Sequence, residues 1–119
     1  MQDFCQVKVW EKSHQLVLNI YQRTHHFPKE ERYGLTSQLR RSAASIPANL
    51  AEGCGRSSDA DFARFAQIAM GSASELEYHL ILATDLNYWN QETIQLLIPQ
   101  VQEVKRMLTR FMQTLRKNN

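Results

Sequence analysis

The sequence predicts an all-α protein, an up-down-up-down antiparallel four-helix bundle. Three observations predict it. Apolar residues recur at steps of three and four in four separate stretches, no segment alternates apolar and polar as a half-buried strand does, and breakers mark junctions between stretches at Pro28 and at Gly53 and Gly55. With 119 residues, 43% of them hydrophobic, the chain is one domain able to bury roughly two thirds of its extended surface, so its core needs neither a metal nor disulfides. Connections of about three to six residues make neighbouring helices antiparallel. An extended helical array would need a sequence repeat, and there is none.

The first helix is expected over residues 9–26, with Trp10, Ser13, Val17, Ile20, Tyr21 and Thr24 on one face and Leu16 and Leu18 widening the stripe. Pro28 suits a first helical position, and Glu30 and Glu31 suit the positive end of a helix dipole, so the second helix is expected over 29–54. Its apolar face is Leu35, Leu39, Ala43, Ile46 and Leu50. That face continues across Pro47, which predicts a kink, with Ser42, Ser45 and Asn49 near enough to serve the freed backbone groups. Gly53 and Gly55 are expected to stop the helix through the left-handed conformation that glycine adopts without a steric penalty.

Ser58 is the expected cap of a third helix over 58–86, with Asp59 and Asp61 in its first turn. One stripe of it is Phe62, Ala66, Ala69, Ala73, Leu76, Leu80 and Ala83. A second stripe, Phe65, Ile68, Ser72, His79, Leu82 and Leu86, implies a packing partner beyond the bundle and makes those six residues the candidate oligomer interface. Asn90 caps the fourth helix, expected over 91–116, with Trp89 and Ile94 stapled across its start. Ile94, Leu97, Ile98, Val101, Val104, Leu108, Phe111, Met112 and Leu115 form its core face, and Pro99 predicts a second kink.

The residues of these helices resemble a known family. Val9-Trp10-x-Lys12, Phe27-Pro28-x-Glu30-x-Arg32-Tyr33-Gly34-Leu35, Gln38-Leu39-Arg40-Arg41, Ser45-Ile46-Pro47-x-Asn49-Leu50-Ala51-Glu52-Gly53-x-Gly55-Arg56 and Ala69-x-Gly71-Ser72-x-x-Glu75-Leu76-Glu77 are similar to the four-helix-bundle proteins associated with intervening sequences of 23S rRNA genes. The resemblance runs from about Phe4 to Leu115, with Ser13 standing where alanine is the more usual residue. Pro47, Asn49, Glu52, Gly53, Gly55, Gly71, Ser72 and Glu75 carry its structural motif. The resemblance implies a cytosolic bacterial protein assembled as a homopentameric ring; it does not imply an enzyme. The more distant accessory proteins of diversity-generating retroelements are similar in fold and bind nucleic acid and a reverse transcriptase. That likeness carries activity only by analogy.

Sites for chemistry are sparse. Gly53-Cys54-Gly55-Arg56-Ser57-Ser58 leads into a helix N-terminus but lacks the Gly-Lys-Ser/Thr ending of a phosphate loop, so capping explains it better. Ser72 and Ser74 sit mid-helix with no evident base, and no catalytic residue is assigned. His14, His25, His26 and His79, with Cys5 and Cys54, offer no ligand pair at metal spacing, so no metal and no cofactor is expected. Cys5 and Cys54 form no C-x-x-C pair, which fits reduced thiols in a cytoplasmic protein, one long-range bridge remaining open. No leader-like start and no run of roughly 18 apolar residues occurs, so no membrane is expected.

The net charge of +2 conceals a polarity: +2 over residues 1–64, −5 over 65–104 and +5 over 105–119. Glu75, Glu77, Asp85, Glu92 and Glu103 make the acidic middle; Lys105, Arg106, Arg110, Arg116 and Lys117 make the basic end. An oligomer repeats that end, so weak phosphate contacts add through multivalency. Cations favoured at a helix C-terminus are the competing explanation. With Arg40, Arg41, Arg56 and Arg64, the basic end is the candidate contact for RNA or DNA in a non-enzymatic oligomeric scaffold. The alternative is an adaptor that recruits a protein partner without touching nucleic acid. An Arg40–Glu75 ion pair, within or between subunits, is expected because antiparallel helices bring the two to a similar level.

Overall fold

The computed structural model describes Phe4 and residues 7–117. Four helices, α1 (Lys8–Arg23), α2 (Leu35–Cys54), α3 (Asp59–Asp85) and α4 (Gln91–Lys117), follow one another, with a short 3-10 turn at Lys29–Glu31. Among the described residues no strand occurs. Contacts join α1 to α2 and α4, and α3 to the same two helices, while α1 and α3 do not meet. These pairs are the four sides of a four-helix bundle, with α1 diagonal to α3 and α2 to α4; its longest dimension is 46 Å, in keeping with helices rising about 1.5 Å per residue.

The core is built from the expected stripes. Leu16, Ile20, Leu39, Ile46, Leu50, Leu76, Leu80, Leu97, Val101 and Leu108 are fully or almost fully enclosed. Ala66, Ala69, Ala73 and Ala83 are fully buried on α3, small side chains that allow neighbouring helices to come close. Ser13 is also buried, and its hydroxyl donates to the Trp10 carbonyl at 2.9 Å, so a polar group is accommodated in the core without an outside partner. Tyr21 and Leu18, read as part of the core-facing stripe, instead stand outward, 45% and 49% exposed. The described stripe of α1 narrows to Val9, Ser13, Leu16 and Ile20.

The helix ends differ from the expected ones for local reasons. The first helix closes at Arg23, where the buried Thr24 hydroxyl donates to the Ile20 carbonyl at 2.8 Å. The second begins at Leu35, not at residue 29, because Pro28 opens only the 3-10 turn. Gly34, at the N-cap, has no side chain to offer; Glu31 folds back, and its Oε1 accepts the Leu35 N–H at 3.0 Å. α2 and α4 run unbroken through Pro47 and Pro99. Beside Pro47, Asn49 Nδ2 donates to the Ser45 carbonyl at 2.8 Å and to its Oγ at 2.9 Å.

Neither Gly53 nor Gly55 adopts a positive φ, which corrects their expected role. Gly53 lies within α2, where a Cβ would stand 2.7 Å from Phe62 Cδ1 and 2.8 Å from Phe65 Cβ, so close approach by α3 is what requires glycine. The left-handed residue is Asn87, φ 63°, just past α3. There the Asn87 and Tyr88 N–H groups donate to the Thr84 and Ala83 carbonyls, both at 2.9 Å, closing the helix by the αL route that asparagine tolerates. The expected caps form: Ser58 Oγ accepts from Asp61 N–H at 3.1 Å, and Asn90 Oδ1 from Thr93 N–H at 2.9 Å.

Candidate nucleic-acid interface

The nine candidate cations divide by what they touch. Arg40 is half-buried and bonded to the end of α1: its Nε donates to Thr24 Oγ1 at 2.9 Å, its Nη2 to the Tyr21 carbonyl at 3.4 Å, and its guanidinium lies 4.7 Å from the Tyr21 ring centre. It does not form the expected ion pair with Glu75 within the chain, because α1 supplies those acceptors first. Lys105 is held by Glu77 at 3.0 Å on α3, which neutralises the first cation of the basic end.

Arg56 and Arg64 approach a single ring. Their guanidinium carbons lie 4.8 and 4.7 Å from the centre of Phe65, while Glu52 and Asp61 pair with them at 3.1 and 3.3 Å. Cation–π attraction and two exposed ion pairs thus hold the arginines over the α2–α3 turn. Nearby, a cleft of about 680 Å³ runs between Arg56, Ser57, Ser58 and Asp59 of that turn and Phe111, Thr114 and Leu115 of α4. Arg106, Arg110, Arg116 and Lys117 are exposed along the second half of α4 and make no ion pair among the described residues. These four exposed cations concentrate positive charge on the second half of one helix.

Arg41 belongs to a different place. It lines an open groove of about 490 Å³ between α2 and α3, with Gln38, Ser42, Ser45, Ser72 and Glu75. The Ser45 and Ser72 hydroxyls pair at 2.8 Å across it. This contact accounts for Ser72, and it joins the two runs of sequence, Ser45 to Asn49 and Gly71 to Glu75, that carry most of the structural motif.

The six residues expected to face another subunit do not form one surface. Phe65 and His79 are buried, Ser72 is bonded to Ser45, and Leu82 is half-buried against the core; Ile68 and Leu86 are exposed. Beside Ile68, α3 also exposes Tyr78 and Ile81, which belong to neither of its two expected stripes. His79 keeps one irregularity, a buried Nδ1 with no hydrogen-bond partner.

At the opposite end of the bundle, Glu31 receives Tyr88 Oη on its Oε2 at 2.8 Å in addition to the Leu35 N–H. The Leu35 bond, then the Tyr88 bond, hold its carboxyl below the ordinary range. The same bond, then burial and the charges of Glu31 and Glu30, push the Tyr88 phenol up. Among the described residues no three of His, Cys, Asp or Glu stand where they would share a metal ion, and no helix is long and apolar enough to cross a membrane. Cys54 is buried, and Cys5 lies outside the described residues.

The family model described as 23S rRNA-intervening sequence protein matches residues 5–110. A crystal structure of a protein of unknown function from the S23 ribosomal protein family of Bacteroides thetaiotaomicron is similar, with a TM-score of 0.78 and 27% sequence identity over 87% of this chain and 97% of that one. Among curated proteins no match reaches significance.

Proposed function

The chain belongs to the 23S rRNA-intervening sequence protein family, and from that membership we propose a non-enzymatic, cytoplasmic binding or scaffold protein that assembles as a homopentamer and contacts RNA or DNA through repeated basic surfaces. The observation that carries this reading is the row Arg106, Arg110, Arg116 and Lys117, exposed on α4 without an acidic partner among the described residues. Each copy offers only a few phosphate contacts. Several copies on one particle raise the effective concentration of the rest once the first has bound, so modest single-site affinity becomes useful avidity. Such contacts read backbone charge and carry little sequence information.

Of the nine candidate cations, these four make the better interface; Arg56 and Arg64 flank it but are paired with Glu52 and Asp61. Arg40 and Lys105 are committed to contacts inside the chain. The reading is tested by binding a structured RNA at low salt to the wild-type protein and to a variant with all four α4 residues changed to Gln. Tight binding by the wild type and a large loss in the variant support it; no binding by the wild type rejects it.

A second reading, a protein-recruiting adaptor, has one observation in its favour. Tyr33 is 87% exposed, with the Arg32 guanidinium 5.5 Å from its ring centre, and tyrosine and arginine are the residues most often found at the energetic centre of protein interfaces. Specific protein capture that survives nuclease treatment, is lost in Tyr33→Ala and persists in the four-Gln variant would favour it.

A further inference from the structure

We propose that Lys8, the first residue of α1, joins Arg106, Arg110 and Lys117 of α4 in one track for a nucleic-acid backbone. The proposal rests on the binding role proposed above and names the line along which a strand lies.

Spacing defines the α4 side of the track. Glu103, Arg106, Arg110 and Lys117 follow one another at intervals of three, four and seven residues, which keeps them on one stripe of a helix. Arg116 lies about 100° round the helix from that stripe, off the track. The three cations of the stripe are exposed and span about 16 Å along the helix axis. No acid follows Glu103 in the chain.

An ion pair shows which helix lies beside the stripe. Lys12 of α1 meets Glu103 at 3.6 Å. The two helices are antiparallel, so Lys8, one turn before Lys12, comes level with the turn of α4 that follows Glu103. Lys8 and Met107 accordingly line one open groove of about 510 Å³, with Arg106 next to Met107 in sequence and Arg110 one turn beyond it. Lys8 is exposed and makes no ion pair among the described residues. The helix itself gives no reason for it, because a cation at a helix N-terminus opposes the dipole, whereas Arg116 and Lys117 at a C-terminus suit it. Lys8, Arg106 and Arg110 are thus like charges brought to one level, and they repel one another unless an anion lies between them.

The acids nearby set the limits of the track. Glu11 and Glu103 line the same groove, on the side of Lys8 away from Arg110, and Glu103 is already paired. Thr114, between Arg110 and Lys117, looks across the 680 Å³ cleft to a wall holding Arg56 and Asp59, with Arg56 paired to Glu52. Repulsion by these acids keeps a polyanion on α4 and beyond Glu103. Phosphate contacts of this kind position a strand without reading its bases.

The test measures binding of an RNA hairpin by fluorescence anisotropy over a salt series, in the wild-type chain and in Lys8→Gln, Arg116→Gln and Lys29→Gln. Lys29 is exposed in the turn before α2, at the other end of the bundle, so its variant reports the loss of one positive charge alone. Circular dichroism equal to wild type is expected of all three. Lys8→Gln should weaken binding several-fold at low salt and lower the slope of log affinity against log salt by at least one contact, about 0.7 to 0.9. Arg116→Gln and Lys29→Gln should keep the wild-type slope. A Lys8→Gln slope equal to wild type, or an equal loss in Arg116→Gln or Lys29→Gln, overturns the proposal. A wild-type protein that does not bind the hairpin rejects the binding role itself, which is a distinguishable result.

Discussion

The Tyr88 hydroxyl donates to Glu31 Oε2 at 2.8 Å, tying the α3–α4 connection to the carboxylate that receives the first N–H of α2. One side chain thus serves a helix start that has glycine at its cap and also links two loops distant in sequence. Because Glu31 is held below its ordinary pKa in the folded protein, its stabilising effect is fully present above the unfolded value of roughly 4.3 and is lost as pH falls through the folded value. Tyr88 is shifted upward, so its contribution is present below roughly pH 10 and is lost as pH rises through its folded value. Urea unfolding of wild type and Glu31→Gln should therefore differ at pH 7 and converge in acid. A difference that persists unchanged to pH 2 contradicts the assignment.

Gly53→Ala should destabilise the fold by about 1–3 kcal/mol, since the new methyl meets Phe62 and the backbone-attached Cβ of Phe65, which has little freedom to move. Denaturant midpoints measure this directly. A neutral or stabilising effect, as expected of a helical Gly→Ala change without steric contact, would mean that α3 moves away easily.

Arg40→Gln should cost about 1 kcal/mol of stability, through loss of the bonds to Thr24 and the Tyr21 carbonyl, and leave RNA affinity per folded molecule nearly unchanged. The change Arg110→Gln should do the reverse, because Arg110 is exposed and makes no ion pair among the described residues. Thermal unfolding and RNA binding measured on both variants separate the two roles.

Helix number, order and the core stripes were legible because burial imposes a three-to-four periodicity on Leu35 to Leu50 and on Phe62 to Ala83 that few other arrangements explain. Caps at Ser58 and Asn90 were legible for a similar reason, since a side-chain acceptor must stand next to the N–H groups it serves. What escaped was decided by contacts between distant residues. Gly53 is recognisable as a steric requirement only once Phe62 and Phe65 lie against it, and the same two glycines next to a helix end suggest a left-handed stop. Asn87 does take that stop, but no glycine marked it. Likewise, the sequence offered Arg40 and Glu75 at matching heights, while the fold placed Thr24 and Tyr21 nearer to the guanidinium. Among the candidate cations, charge asymmetry alone does not tell Lys105, paired with Glu77, from Arg106 and Arg110, which are exposed.

The proposed binding role is tested most directly by the salt dependence of affinity for a structured RNA, measured by fluorescence anisotropy on the wild-type protein. Each phosphate contact releases counterions and adds about 0.7 to 0.9 to the slope of log affinity against log salt. The predicted result is a steep loss of affinity with salt in the wild type and a clearly shallower slope when Arg106, Arg110, Arg116 and Lys117 are replaced by Gln. No binding at low salt, or an identical slope in the two proteins, would contradict the account.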